Sequence, residues 1–171
     1  MEILYGERIF ELDEEVLKSH PDRSNVVLFS DIFRANPHTS AIGVEGAETV
    51  GHLLMLPITD EAYNLLRNGN YNVNERDVEK DIVSFDSDIK ECRIFIVSFY
   101  LHPDHRTTGN IRALVRAFKE LSDGVRVRGI KIKSIMSNAQ NEEGVRTATY
   151  GGLRFSHNLP NGTKIMEVVF D

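Results

Sequence analysis

The chain has 171 residues, of which 41% are hydrophobic and 27% charged, with one cysteine and a formal charge of −6. That length suits a single domain spanning residues 1–171, large enough to bury a core without a metal or disulfide and too short for a kinase or a full dehydrogenase. The net charge disfavours general nucleic-acid binding, and the apolar runs at 53–58 and 94–101 are far too short to span a bilayer.

The first ten residues carry Glu2, Glu7 and Arg8 and lack the basic-then-apolar layout of a signal peptide. The lone Cys92 excludes an internal disulfide and fits a reducing cytosol, so a cytoplasmic location is expected. Residues 3–10 read as a first strand, and 13–19 as a short helix stopped by Pro21. Ser24 suits the cap of a helix carrying Val26, Phe29 and Phe33 on one face, with a strand through VVLF as the competing reading. Residues 40–45 and 49–56 form a hairpin signal around Gly46 and Ala47, and Gly51 within the second run predicts a bulge or a close backbone approach.

Residues 60–84 read as two short helices, with Leu65 and Leu66 in the first and Val78, Ile82 and Val83 in the second. IFIVSFYL at 94–101 suits a strand buried on both faces. Ile111, Leu114, Val115, Phe118 and Leu121 then recur at helical spacing, and 130–136 alternates as a further strand. Strand, helix, strand predicts a right-handed crossover with the two strands parallel. Asn141 suits the cap of a helix ending near Gly151 and Gly152, and Pro160, Asn161 and Gly162 turn a terminal hairpin. The order is βααββ(αα)βαβαββ, a mixed α/β domain with antiparallel early strands, a central parallel pair and a helical insertion at about 59–91.

Charge is unevenly spread. Residues 1–58 carry a net −6, 59–91 a net −5 and 92–171 a net +5. Such a chain suits an anion held in its basic half and a cation drawn to its acidic half, although solvated faces account for the pattern equally well. HPDHRTTGN, between the buried strand and the amphipathic helix, is the clearest anion site. Thr107 or Thr108 caps the helix, Gly109 admits close approach, and free amides open the helix start. Arg106, Arg112 and Arg116 surround that end.

LHPDHRTTGNI, residues 101–111, resembles the cofactor-loop signature V-x-P-x-Y-R-G-x-G-x-G/A of the GNAT acetyltransferase superfamily, with Leu101, Pro103, Arg106 and Gly109 in register. The element order resembles that superfamily over most of the chain, with the 59–91 helices added. The resemblance implies acetyl-CoA as co-substrate, wedged between the strands at 94–101 and 130–136. Backbone amides from Arg106 through Thr107, Thr108, Gly109 and Asn110 to Ile111 would hold its diphosphate, and Leu101, His102 and Pro103 would run beside its pantetheine. Asn141 joins that set. Thr107 replaces a usual glycine, and Ile111 replaces the loop's final Gly/Ala, which would crowd the diphosphate.

The family's later signature, N-x-x-A-x-x-x-Y-x-x-x-G-F, places Ala148 in the tyrosine slot when Asn141 and Gly152 are aligned without a gap. Tyr150 is then the candidate general acid toward the departing thiolate. Glu45, Glu48 and His102 are candidate bases, none singled out by spacing. Asp77, Glu79 and Asp81 are placed to guide a cationic amine or simply to face solvent. His102 and His105 form H-x-x-H in a loop without further ligands, so no metal is expected.

The resemblance therefore implies an N-acyltransferase in which an amine attacks the thioester directly, helped by a backbone N–H near Leu101. A non-catalytic acyl-CoA-binding or protein-interaction module on the same fold is the alternative, favoured by Ala148 and Ile111. An RNA-modifying transferase is the third reading, disfavoured by the acidic N-terminal half. Exposed edge strands leave room for a homodimer.

Overall fold

The computed structural model describes residues 1–5, 36–46, 48–72, 78–85 and 88–170. β1 (Glu2–Tyr5) runs antiparallel to β2 (Ser40–Glu45), with Ile3 opposite Gly43. The rest of the strand expected at 3–10 and the helices expected at 13–19 and 24–33 lie outside the described residues. β2 turns into β3 (Glu48–Ile58) through a two-residue connection that starts at Gly46, where φ is +62°. Positive φ at that position is what a tight hairpin needs and what glycine supplies.

The β2–β3 register slips once. Gly43 faces Gly51 but Val44 faces Thr49, so Val50 is the extra residue of a bulge. Gly51 also meets the close approach expected of it, because a Cβ there would lie 2.9 Å from the Tyr100 carbonyl oxygen and 2.9 Å from Leu101 Cδ1.

α1 (Asp60–Arg67) begins at Thr59, whose hydroxyl accepts from the Ala62 N–H at 3.2 Å. It buries Ala62 and Tyr63, while the expected Leu65 and Leu66 are only half-buried. α2 (Val78–Asp81) is shorter than the spacing predicts. Ile82 and Val83 are extended instead, Ile82 bridging Ile58 and the Val83 N–H donating to the Pro57 carbonyl at 2.9 Å. Two β-branched residues find backbone partners at the end of β3, and that pairing overrides their helical periodicity.

β4 (Glu91–Leu101) pairs in parallel with β5 (Lys131–Ala139) from Glu91↔Lys131 to Ile96↔Ser137, then continues alone to Leu101 in that ladder. Residues 95–100 are half-buried, so the strand is not covered on both faces as its apolar run suggested. Between the two strands α3 (Thr108–Val127) outruns the expected 111–121 at both ends and buries Leu114, Val115, Phe118 and Leu121. α4 (Glu142–Tyr150) opens on Asn141, whose Oδ1 accepts from the Gly144 N–H at 2.8 Å. It closes with Gly152 at φ +101°, the Gly152 N–H on the Thr149 carbonyl and the Leu153 N–H on the Ala148 carbonyl, a Schellman end. β6 (Arg154–Asn158) and β7 (Lys164–Val169) form the terminal hairpin, closed by a bulged turn with Gly162 at φ +85°.

The strands are hydrogen-bonded in the order β1-β2-β3-β4-β5-β7-β6. The chain groups into two compact units, Met1–Leu54 with Ser98–Gly124, and Met55–Val97 with Val125–Asp171. In the first, Leu4, Ile42 and Val44 form one apolar cluster. In the second, Ile94, Met136, Leu153, Ile165 and Met166 are fully buried. The second unit also neutralises part of the acidic segment. Asp60 binds Arg93 (2.6 Å) and Lys133 (2.9 Å), and Lys133 also binds Glu91 (3.0 Å). Asp81 is buried and accepts from the Tyr71 hydroxyl at 2.9 Å, so it braces the fold and does not face an incoming amine. Asp77 lies outside the described residues.

Candidate active site

β4 ends at Leu101, and a few residues turn the chain into α3. The His102 N–H donates to the carbonyl of Val50, the bulge residue, at 2.7 Å. Pro103–His105 make one 3₁₀ turn, with the His105 N–H on the His102 carbonyl and the Arg106 N–H on the Pro103 carbonyl at 3.3 Å. The Thr107 N–H donates to the His105 carbonyl at 2.8 Å. The Thr107 hydroxyl accepts from the Asn110 N–H at 3.2 Å and its carbonyl accepts from the Ile111 N–H at 3.0 Å, so Thr107 is the cap and Thr108 the first helical residue.

Of the six amides from Arg106 to Ile111, four therefore have acceptors inside the loop. Thr108 and Gly109 hold the first two helical positions, whose N–H groups have no intrahelical acceptor and point out of the helix start. The space beside Gly109 is open, since a Cβ there would meet only Thr107 Oγ1 at 3.8 Å. Arg106 faces inward along the loop, its Nε donating to the Leu101 carbonyl at 2.9 Å and clipping the strand end to the turn.

Glu45, one candidate base, is tied into the same loop. Its carboxylate accepts from Asn110 Nδ2 at 3.2 Å and lies 3.1 Å from His105 Nδ1. Desolvation alone would raise its pKa, but the hydrogen bonds from Asn110 and the chain's amino terminus, with the charges of that terminus and His105, outweigh it and hold the carboxyl below its ordinary range. A carboxyl held down is a poor proton acceptor at neutral pH and a good anchor. With a depressed folded pKa, its stabilisation is present above the unfolded value and is lost as pH falls through the folded one. Thermal unfolding between pH 5 and 3 should therefore show a smaller loss of stability for Glu45→Gln than for the unsubstituted protein. An equal loss would mean that Glu45 does not anchor the loop.

Glu48 is exposed at the hairpin, and His102 caps the 3₁₀ turn, its Nδ1 accepting from the Asp104 N–H at 3.4 Å. Asn141 and Tyr150 belong to the second unit, and the loop residues to the first. Asn141 spends its Oδ1 on capping α4, and Tyr150 sits on the last residue of that helix, 53% exposed.

The sequence reading missed a polar pair within the first unit. His52 Nε2 and Ser98 Oγ are 2.6 Å apart, part-buried, on β3 and β4, and the His52 ring stacks on Tyr100 with centroids 5.4 Å apart and planes at 24°. Each residue is a polar exception within an apolar strand run, which is the one signal the sequence carried.

No family model matches the sequence, and no curated protein does. Solved structures do. Naa50 of Arabidopsis thaliana, in complex with the bisubstrate analogue CoA-Ac-MVNAL, matches with TM-score 0.55 and 11% identity over 99% of this chain and 98% of its own. An aminoglycoside 6'-acetyltransferase type Ii matches with TM-score 0.54 and 12% identity over 99% and 97%. yncA of Salmonella typhimurium, a putative acetyltransferase solved with acetyl-CoA, matches with TM-score 0.51 and 13% identity over 100% and 94%. With the parallel β4–β5 pair set in a seven-stranded mixed sheet, these likenesses show that the chain has the fold of the GNAT acetyltransferases.

Proposed function

We propose that the protein is an acyl-CoA-dependent N-acyltransferase that moves acetyl from acetyl-CoA to a primary amine. The observation that carries this reading is the start of α3, where Thr108 and Gly109 leave two N–H groups open directly after β4. Oriented amides with the positive end of a helix dipole behind them suit a diphosphate, and the open space beside Gly109 admits one. Acetyl-CoA, when bound, supplies the activated thioester carbonyl. Leu101, His102 and Pro103 carry the strand edge beside which its arm would lie, and the Arg106 clip keeps that edge in place. Asn110 would act indirectly, by holding Glu45 and the loop together.

Direct transfer is favoured over an acyl-cysteine intermediate. Cys92 is only 3% exposed, and burial pushes its thiol up to about 11, so it stays protonated at neutral pH and cannot act as nucleophile. The structural neighbours act on different amines by their own descriptions, so the acceptor here stays at the level of a primary amine, with cationic amines as the first candidates. Ala148 in the place of a family tyrosine favours one second reading, an acyl-CoA-binding module without transfer. Tyr150 remains the general-acid candidate for the first.

Thermal unfolding with saturating acetyl-CoA, against ATP and NAD as controls, tests the cofactor step. At one hundred times its dissociation constant a ligand adds about 2.7 kcal/mol, a rise of roughly 5–10 °C for a chain of this size. A rise with acetyl-CoA alone supports the site, and thiol release with an amine then separates transferase from binding module. No rise at millimolar acetyl-CoA would sink both.

A further inference from the structure

We infer that Ser98 and His52 form the proton relay of this transferase, Ser98 meeting the acceptor amine and His52 receiving its proton; the inference rests on the acetyl-transfer reading. Ser98 lies on β4 two residues beyond Ile96, where the parallel ladder to β5 stops, and three residues before Leu101, where the Arg106 clip begins. It thus sits on the stretch of β4 beside which the thioester arm would run. Its hydroxyl is already committed to a histidine at 2.6 Å, and the stacked Tyr100 ring fixes the plane of that histidine. Across the hairpin β2 presents Ile42 to His52, and from β4 Tyr100 stacks on its ring.

Of the other candidate bases, Glu45 is engaged by Asn110 and His105, His102 by its own turn, and Glu48 is exposed at the hairpin. In the tautomer with the proton on Nδ1, His52 Nε2 accepts from the Ser98 hydroxyl. As the amine nitrogen forms its bond to the thioester carbonyl carbon, its proton passes to Ser98 Oγ and the Ser98 proton passes to His52 Nε2. The C–S bond then breaks, CoA leaves as thiolate, and the proton held by His52 returns to solvent or to that thiolate. Nothing is oxidised or reduced.

The test follows thiol release from acetyl-CoA with the pentapeptide MVNAL, spermidine and kanamycin as amine probes, and with water alone. His52→Gln should lower kcat about a hundredfold or more and flatten the acidic limb of the pH–rate profile, while KM for acetyl-CoA and the acetyl-CoA-induced rise in unfolding temperature stay within about twofold. Ser98→Ala should lower kcat in the same direction, and Ser98→Thr, which restores the hydroxyl, should recover most of it. The retained temperature rise shows that each variant is folded and loaded. If His52→Gln keeps both rate and pH profile, the relay is overturned and the transferase reading stands. If the unsubstituted protein binds acetyl-CoA yet releases no thiol with any probe, relay and transferase fall together and the binding module remains. If it does not bind acetyl-CoA, both fall at the cofactor step.

Discussion

Gly51→Ala is expected to cost about 2 kcal/mol and to lower the unfolding temperature by roughly 4–8 °C, with Gly51→Val costing more. The added Cβ would lie 2.9 Å from the backbone oxygen of Tyr100 and 3.4 Å from Leu114 Cδ1. Leu101 Cδ1, also at 2.9 Å, belongs to a side chain that can swing away, but a carbonyl fixed in a strand cannot. The strain therefore enters β3 and β4 themselves. Gly124→Ala is the matched control, because nothing lies within 4 Å of its added Cβ and it sits inside α3. That change should stabilise by roughly 0.5–1 kcal/mol through lower unfolded-chain entropy and better helix propensity. Circular dichroism melts of the two variants measure the contrast. Equal melting points would mean that β3 and β4 do not approach as closely as this structure has them.

Thr108→Pro should weaken acetyl-CoA binding about ten- to a hundredfold while leaving stability nearly unchanged. Proline is favoured at the first helical position, where its fixed φ suits the turn and its missing N–H costs no intrahelical bond. What it removes is one of the two open donors. A hydrogen bond to a charged group contributes about 1.5–3 kcal/mol, which sets the expected loss. Thr108→Ala keeps the N–H and should keep the affinity. Calorimetric titration with acetyl-CoA reads the difference. If Thr108→Pro binds as well as the unsubstituted protein, the helix start is not the diphosphate site.

Short-range chemistry made much of the fold legible. Asn141 reaches only three residues to Gly144, and Gly152 and Gly162 adopt the positive φ that glycine permits, so cap, helix end and terminal turn follow from neighbours in sequence. The β2 strand falls on residues 40–45, the first run of the hairpin signal. The strand–helix–strand order gave the parallel β4–β5 pair, but other long-range pairing was not legible. Ile82 and Val83 read as helix because their partners, Ile58 and Pro57, lie in another element. A continuous apolar run at β4 says nothing of how far the ladder to β5 extends, which is why its half-buried stretch went unseen. Two threonines qualified as the α3 cap, and only the path of the turn selects Thr107 and so determines which amides stay open. His52 and Ser98 are 46 positions apart and meet through the pairing of β3 with β4, a register that no local signal specifies.

The open amides of Thr108 and Gly109 have a kinetic consequence. On the proposed reading they grip the diphosphate, a group that acetylated donor and spent CoA share, so this end of the site cannot tell them apart. The product then competes for the same seat, and turnover follows the ratio of acetyl-CoA to free CoA more closely than the level of either. On that reading the chain would slow itself when the supply of acetyl-CoA falls, without needing a separate regulatory site.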